Sequence, residues 1–226
     1  MGNLGGLVIT VPHKFAAAAL VSASSHRVSV TGAANALRPT AEGWAGDLFD
    51  GEGFANGVEA NHGPLSGQTC AIVGVGGAGT AIALALMDRG IAELRIWDLD
   101  PARAASLRDR LAASSSLPVS VCPPGESDDI AINASSTGMS DSDPLPFDPG
   151  ALRTGALVCD AIMKPPVTRL LSEARKMGHP IQEGRHMLDF QVSAIWDFFD
   201  LGTEPTQPPR HILSENPPCI PSPARS

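Results

Sequence analysis

Long apolar runs are missing from this 226-residue chain. None approaches the ~18–20 residues that would cross a bilayer, so no membrane-spanning helix is expected. An excess of positive charge is missing too. Sixteen Lys and Arg against 24 Asp and Glu leave a formal net charge of −8 and a pI near 5.1. That balance sets aside nucleic acid as the expected partner. Cysteine is sparse: Cys70, Cys122, Cys159 and Cys219 lie far apart, with no CxxC spacing. They read as thiols in a reducing compartment rather than a disulfide framework, and no metal site is expected. No basic-then-apolar leader opens the sequence, and a cytoplasmic protein with no membrane partner is the expectation. The start "MGNLGG" carries Gly6 where myristoylation requires Ser or Thr. What remains is 43% hydrophobic and 18% charged, enough to build one large or two small cores.

Three textures follow one another. Residues 1–60 suggest a strand at 7–11, a helix after Pro12, a second strand around 27–30 and a glycine-punctuated stretch ending in "DGEGF". "ANHGPLSGQ" is rich in turn formers and reads as a linker. From about residue 69 to 184 strands and helices alternate, which predicts a parallel sheet covered by helices. Its strands are expected at 70–73, 94–98, 119–122, 130–133, 157–160 and 180–182. A helix over about 187–201 would align Leu188, Val192, Ile195 and Phe199 on one face. The last stretch, 203–226, holds seven prolines and no apolar period; it reads as a disordered tail.

The most telling local pattern is "CAIVGVGGAGTAIALALMDRG". An apolar strand runs into Gly74-x-Gly76-x-x-Gly79, and a helix rich in Ala and Leu follows. In a dinucleotide fold the first glycine permits the turn, the second lets backbone approach a pyrophosphate, and the third lets helix and strand pack closely. Amide groups at the helix start then face the phosphates. Asp98 closes the next strand, "LRIWD", where a carboxylate can accept hydrogen bonds from the adenosine ribose hydroxyls. A carboxylate there repels the extra phosphate of NADP, so NAD is favoured over NADP. Arg103 is the counter-argument, a helical turn further on. The plainer reading is that Asp98 and Asp100 make a turn and cap the helix after Pro101.

Taken in order over roughly residues 5–202, the motifs resemble those of shikimate dehydrogenases and their quinate-using relatives. "ITVPHK" (9–14) resembles that family's "VTVPHK", "GAANAL" (32–37) its "GAxNTL", and "GDLFDGEGF" (46–54) its "GxNTDGxGF". After the glycine loop come "INASSTGM" (132–139), "DAIMKPPVTRLLSEARKMG" (160–178) and "GRHMLDFQ" (184–191). The resemblance implies an α/β protein: a Rossmann-type dinucleotide-binding domain over 65–186 plus an incomplete α/β substrate-binding domain over 1–60. A helix at 187–202 would return to the substrate domain. It implies reversible hydride transfer between NAD or NADP and a shikimate- or quinate-type ring alcohol, a small cyclic hydroxy acid. Carried over by position, Lys14 and Asp50 are the catalytic pair, and Thr10, Asn35 and Gln191 contact ring hydroxyls. Gly74, Gly76, Gly77, Ala78, Gly79 and Asp98 hold the cofactor, and Thr137, Gly138 and Met139 line its nicotinamide end.

The chemistry suits those residue types. Oxidising a secondary alcohol needs a hydride acceptor on one side and a group to take the hydroxyl proton on the other. Lys14 would take that proton, and Asp50 would orient both substrate and ammonium. Without the family context Lys14 reads as an ordinary solvated charge, Asn35 as a turn residue and Gln191 as a polar spot on an exposed helix. His13 reads as a packing or capping residue, Met139 and Met187 as core, and Arg185 and His186 as surface.

Three departures shape the expectations. The family's early Ser-x-Ser pair, which grips the substrate carboxylate, has no counterpart, so the 7–11 strand is expected to carry an unpaired edge, where a second copy could pair as a homodimer. Leu48-Phe49 replaces the family's Asn-Thr, and Val8 an asparagine; both changes should loosen recognition of a polyhydroxylated ring. The alternative function is a truncated, catalytically impaired dinucleotide-binding remnant of the family.

Overall fold

The computed structural model describes residues 4–10, 12–140 and 142–202; the proline-rich tail lies outside the described residues. The first part of the chain runs β1 (Leu7–Val8), α1 (Lys14–Ala18), β2 (Ala23–Ser24), α2 (His26–Thr31), β3 (Ala36–Thr40), β4 (Gly43–Asp47) and α3 (Asp50–His62). Its strands form a sheet in the order β1-β3-β4-β2. β3 is antiparallel to both neighbours, and β2 runs parallel to β4.

Two expectations fail here, the strand at 27–30 and the start of the linker. The strand read at 27–30 is helical. "RVSV" alternates like a strand, but the ends decide: Ser25 caps the helix by accepting the Val28 amide, and Gly32 stops it at φ 70°. The glycine-punctuated stretch is a β3–β4 hairpin that turns at Ala41–Glu42, with β4 opening on Gly43 at φ 133°. The expected linker also begins too early, since α3 continues to His62.

Beyond α3 the order is β5 (Thr69–Val73), α4 (Gly77–Asp88), β6 (Glu93–Trp97), α5 (Pro101–Ser114), β7 (Val119–Val121), β8 (Ile130–Asn133), β9 (Leu157–Asp160), α6 (Arg169–Lys176) and β10 (Ile181–Gln182). All six strands are parallel, in the order β10-β9-β8-β5-β6-β7. The crossovers run outward in opposite directions from the β5/β8 pair, and such a reversal point is where α/β sheets hold ligands at their carboxyl ends. Residues 70–73 are buried throughout, as a strand covered on both faces requires. One face packs Ile72, Ile82, Leu86, Leu94, Ile96, Leu107 and Leu111 into a core; the other packs Val73, Val158, Leu170 and Leu171.

The expected single helix at 187–201 is two, α7 (Arg185–Asp189) and α8 (Val192–Phe198), broken at Phe190 and Gln191. Met187 is core, whereas Leu188 stays 46% exposed and off the expected apolar face. The two sheets meet through helices. A Cβ on Gly51 of α3 would lie 2.1 Å from the Ala81 carbonyl of α4, so this crossing requires glycine. Ala81 also belongs to the core of the first part, with Ala17, Val28, Leu37 and Leu48.

Candidate active site

The turn after β5 is shaped for close approach. Gly74 sits at φ 94°, and a Cβ there would lie 2.6 Å from the Ser135 amide nitrogen. A Cβ on Gly79 would lie 1.9 Å from the Gly74 carbonyl oxygen, which holds α4 tightly against the turn. Gly76 precedes the twelve-residue α4 and contributes no side-chain cap. The first amides of α4, from Gly77, Ala78 and Gly79, therefore point outward with the helix dipole behind them. Asp98 borders the same turn: one carboxylate oxygen accepts the Val75 amide at 2.8 Å and the other accepts that of Asp100 at 2.9 Å. Each oxygen keeps a further lone pair for a hydroxyl. Asp100 itself caps α5 by accepting the Ala102 amide. A glycine cradle that any side chain would fill, uncapped amides and a bordering carboxylate fit an adenine dinucleotide.

Lys14 opens α1 and Asp50 opens α3. Their side chains meet across 36 residues of sequence, Nζ to Oδ2 at 2.5 Å. Both are buried, at 6% and 4% exposure. The methylenes of Lys14 rest on the glycine turn, where a Cβ on Gly77 would lie 3.3 Å from Lys14 Cδ. The amine–carboxylate pair and the cradle are thus one site.

Asn35 is buried beside them. Its Nδ2 donates to Gln191 Oε1 at 2.9 Å, and its Oδ1 accepts the Phe49 amide at 2.9 Å. Gln191, which the sequence also allowed as an exposed polar spot, is 4% exposed. Asn35 sits at a bend just before β3, its carbonyl accepting the Ile9 amide and its own amide donating to the Asp47 carbonyl at the end of β4. Thr10 is exposed, and its carbonyl accepts the His13 amide. His13 is exposed at the start of α1 without a side-chain cap.

Thr137, Gly138 and Met139 follow β8 in a loop beside the glycine turn. The Thr137 carbonyl accepts Asn133 Nδ2, the Gly138 amide donates to Asp143, and Met139 is 62% exposed. Two backbone amides hold the Asp143 carboxyl below its usual range. Leu48 and Phe49, which stand where the resemblance expects Asn-Thr, are buried. Leu48 joins the core, and Phe49 packs edge-on against Phe198 under Arg27.

Asp160 and the Arg27–Asp47 pair escaped the sequence reading. Asp160 closes β9 at 1% exposure and accepts hydrogen bonds from Asn133, Ile162 and Thr168. Burial outweighs those three bonds and lifts its pKa from 3.8 to about 6. An acid ending a strand at the sheet's carboxyl edge was the available signal. Burial also pushes the Cys70 thiol up to about 12 and Cys159 well above its usual value, so neither is a nucleophile. Among the described residues no group of His, Cys, Asp or Glu could hold a metal ion, and no helix is long and apolar enough to cross a membrane.

A parallel sheet with a glycine cradle at its reversal point, facing a buried lysine–aspartate pair from a second sheet, defines a Rossmann-type dinucleotide-binding α/β protein. No family model matches the chain. Curated proteins do. It is 36% identical over 193 residues to a shikimate dehydrogenase (NADP(+)) of Rubrobacter xylanophilus, covering 82% of this chain and 68% of that protein. It is 32% identical over 211 residues to a quinate/shikimate dehydrogenase (NAD(+)) of Corynebacterium efficiens, covering 90% and 74%. Among solved structures, the quinate dehydrogenase of Corynebacterium glutamicum in complex with NAD superimposes with a TM-score of 0.76 at 31% identity, covering 87% and 73%. Shikimate 5-dehydrogenase from Listeria monocytogenes shares the fold, with a TM-score of 0.80 at 23% identity, covering 90% and 75%. The chain belongs to the shikimate dehydrogenase family.

Proposed function

We propose that this chain interconverts a ring alcohol and its ketone, of the shikimate or quinate type, with NAD as the preferred coenzyme. The observation that carries the reading is the 2.5 Å contact between Lys14 and Asp50 against the glycine turn. Residues 1–60 with 187–202 would hold the substrate and 65–186 the coenzyme. When bound, the nicotinamide takes or gives the hydride. The chain supplies the proton: Lys14 Nζ takes it from the hydroxyl during oxidation and returns it to the forming alkoxide during reduction. Asp50 holds the ammonium in line. Asn35 and Gln191, already bonded to each other, offer their remaining donor and acceptor positions to ring hydroxyls, as Thr10 does from the rim. The relatives named for NADP and for NAD support either coenzyme; Asp98, followed by Leu99 and Asp100 rather than a cation, favours NAD. The outer edge of β1, with Val8 64% exposed, is where a second copy would pair in a homodimer.

One observation favours a second reading, a dinucleotide-binding relative with impaired turnover. Lys14 and Asp50 are both buried, so a substrate reaches the amine only if the site opens. A panel of shikimate, quinate and related ring alcohols, each with NAD and with NADP, separates the two. Substrate-dependent coenzyme reduction supports the enzyme. Binding of NADH with no reduction of NAD or NADP by any ring alcohol supports the relative, and absence of both ends the proposal.

A further inference from the structure

We propose that Arg27 is a positioning residue for Asp50, and through it for the Lys14 amine; this rests on the reading of that pair as the proton-transfer site. Arg27 lies on α2, away from the pair, yet it grips the turn that delivers Asp50. Its Nε and Nη2 bind Asp47 Oδ1 and Oδ2 at 3.0 and 2.7 Å, a two-pronged fork. Its guanidinium also lies over the Phe49 ring, 5.1 Å from the centroid. The residue three before Asp50 and the residue just before it are therefore held by one side chain.

The backbone between them has no freedom left. Asp47 Oδ1 accepts the Leu48 amide at 2.7 Å, and Asn35 Oδ1 accepts the Phe49 amide. Ser25, the cap of α2, donates to the same Asp47 oxygen at 2.5 Å and anchors the fork from below. α3 has no side-chain cap of its own, so the direction in which Asp50 leaves its first turn is set by these contacts. Beyond the turn, Arg27 Nη1 lies 3.8 Å from Glu52, which binds Arg89 at the end of α4 at 2.9 Å. Arg89 also holds Glu59 and Asn56. An alternating chain of charge thus runs from β4 to the helix of the glycine turn, and Arg27 is its link next to the site. Lysine cannot replace a planar fork that also stacks.

The test uses the full chain with Arg27→Lys, Arg27→Met and Phe49→Leu, the last removing the stacked ring while leaving the fork. The chain has three lysines, Lys14, Lys164 and Lys176, so isotope-labelled lysine gives a side-chain spectrum in which the Lys14 signal is assigned by its loss in Lys14→Ala. Asp50→Asn supplies the reference position of a Lys14 signal without its carboxylate. The expected result is that the Lys14 signal moves toward that reference in Arg27→Lys, and further in Arg27→Met. kcat falls on the order of tenfold to a hundredfold, with NADH affinity within about twofold, because misplacement costs rate rather than coenzyme binding. Thermal stability lowered alone, with the Lys14 signal and kcat as in the parent, overturns the proposal. If the parent shows no ring-alcohol turnover, the proposed function fails, while the spectrum still decides whether Arg27 sets the pair. Should Arg27→Met not fold, Arg27→Lys and Phe49→Leu carry the same readouts.

Discussion

Asp160→Asn should make the protein's stability less dependent on pH, in a direction opposite to that of carboxylates whose pKa ion pairing holds down. Asp160 accepts three hydrogen bonds at 2.7–3.1 Å, two on Oδ1 and one on Oδ2, yet at 1% exposure its charge is costly enough to raise its pKa to about 6. In the unfolded chain it titrates near the ordinary 3.8. Between those values the native state binds the proton more tightly. The stabilisation is therefore complete only well below pH 3.8 and is lost as pH rises through 6. Two units of separation correspond to about 3 kcal/mol. When protonated, Oδ2 can donate to the Thr168 hydroxyl, so the cluster keeps its geometry. Asparagine keeps the Oδ1 acceptor for Asn133 and Ile162, and turns Nδ2 toward Thr168 without a charge to bury. Urea unfolding of parent and variant from pH 4 to 8 reads the difference directly, with the other titrating groups cancelling. The variant should gain about 2 kcal/mol on the parent as pH rises across that interval, the rest of the difference lying below pH 4. A flat difference, or one running the other way, would refute the argument that burial dominates Asp160.

The remaining predictions concern the cradle. Gly79→Ala places a carbon 1.9 Å from the Gly74 carbonyl, so α4 must move off the turn. A loss of about 1–3 kcal/mol of stability and a marked fall in NADH affinity are expected, checked by thermal unfolding and fluorescence titration; neither changing would contradict the packing described. Asp98→Ala removes the proposed ribose acceptor and the partner of the Val75 amide. It should weaken NAD binding about tenfold to a hundredfold and NADP binding less, the size of a lost hydrogen bond to a charged group. Unchanged NAD affinity in calorimetry would remove Asp98 from the coenzyme site.

The large sheet was legible because a parallel strand buried on both faces leaves an unbroken apolar run, as at 70–73 and 157–159, and the Gly74–Gly79 pattern marks where it turns. The smaller sheet was not. "RVSV" has a strand's period, but Ser25 and Gly32 bound it as a helix, and caps outrank alternation in six residues. β3 and β4 hid behind polar Arg38, Thr40 and Glu42 and the ring of Pro39 on an exposed hairpin. The break at Phe190–Gln191 carries neither glycine nor proline to announce it. Local sequence offers no means of seeing that Lys14 reaches Asp50 or that Asn35 reaches Gln191, 156 residues on. Family resemblance nominated those four residues, and the fold brings them together. Nothing nominated Arg27 and Asp47, whose fork exists only once α2 packs beside β4.

The most direct measurement is hydride transfer to or from a responsive ring substrate in a single turnover, comparing the parent with Lys14→Ala under saturating coenzyme. Removing a positioned proton-transfer group should slow the step about a hundredfold to ten-thousandfold while NADH binds within about twofold of the parent. An equal rate in the variant would contradict the assignment of the amine bonded to Asp50.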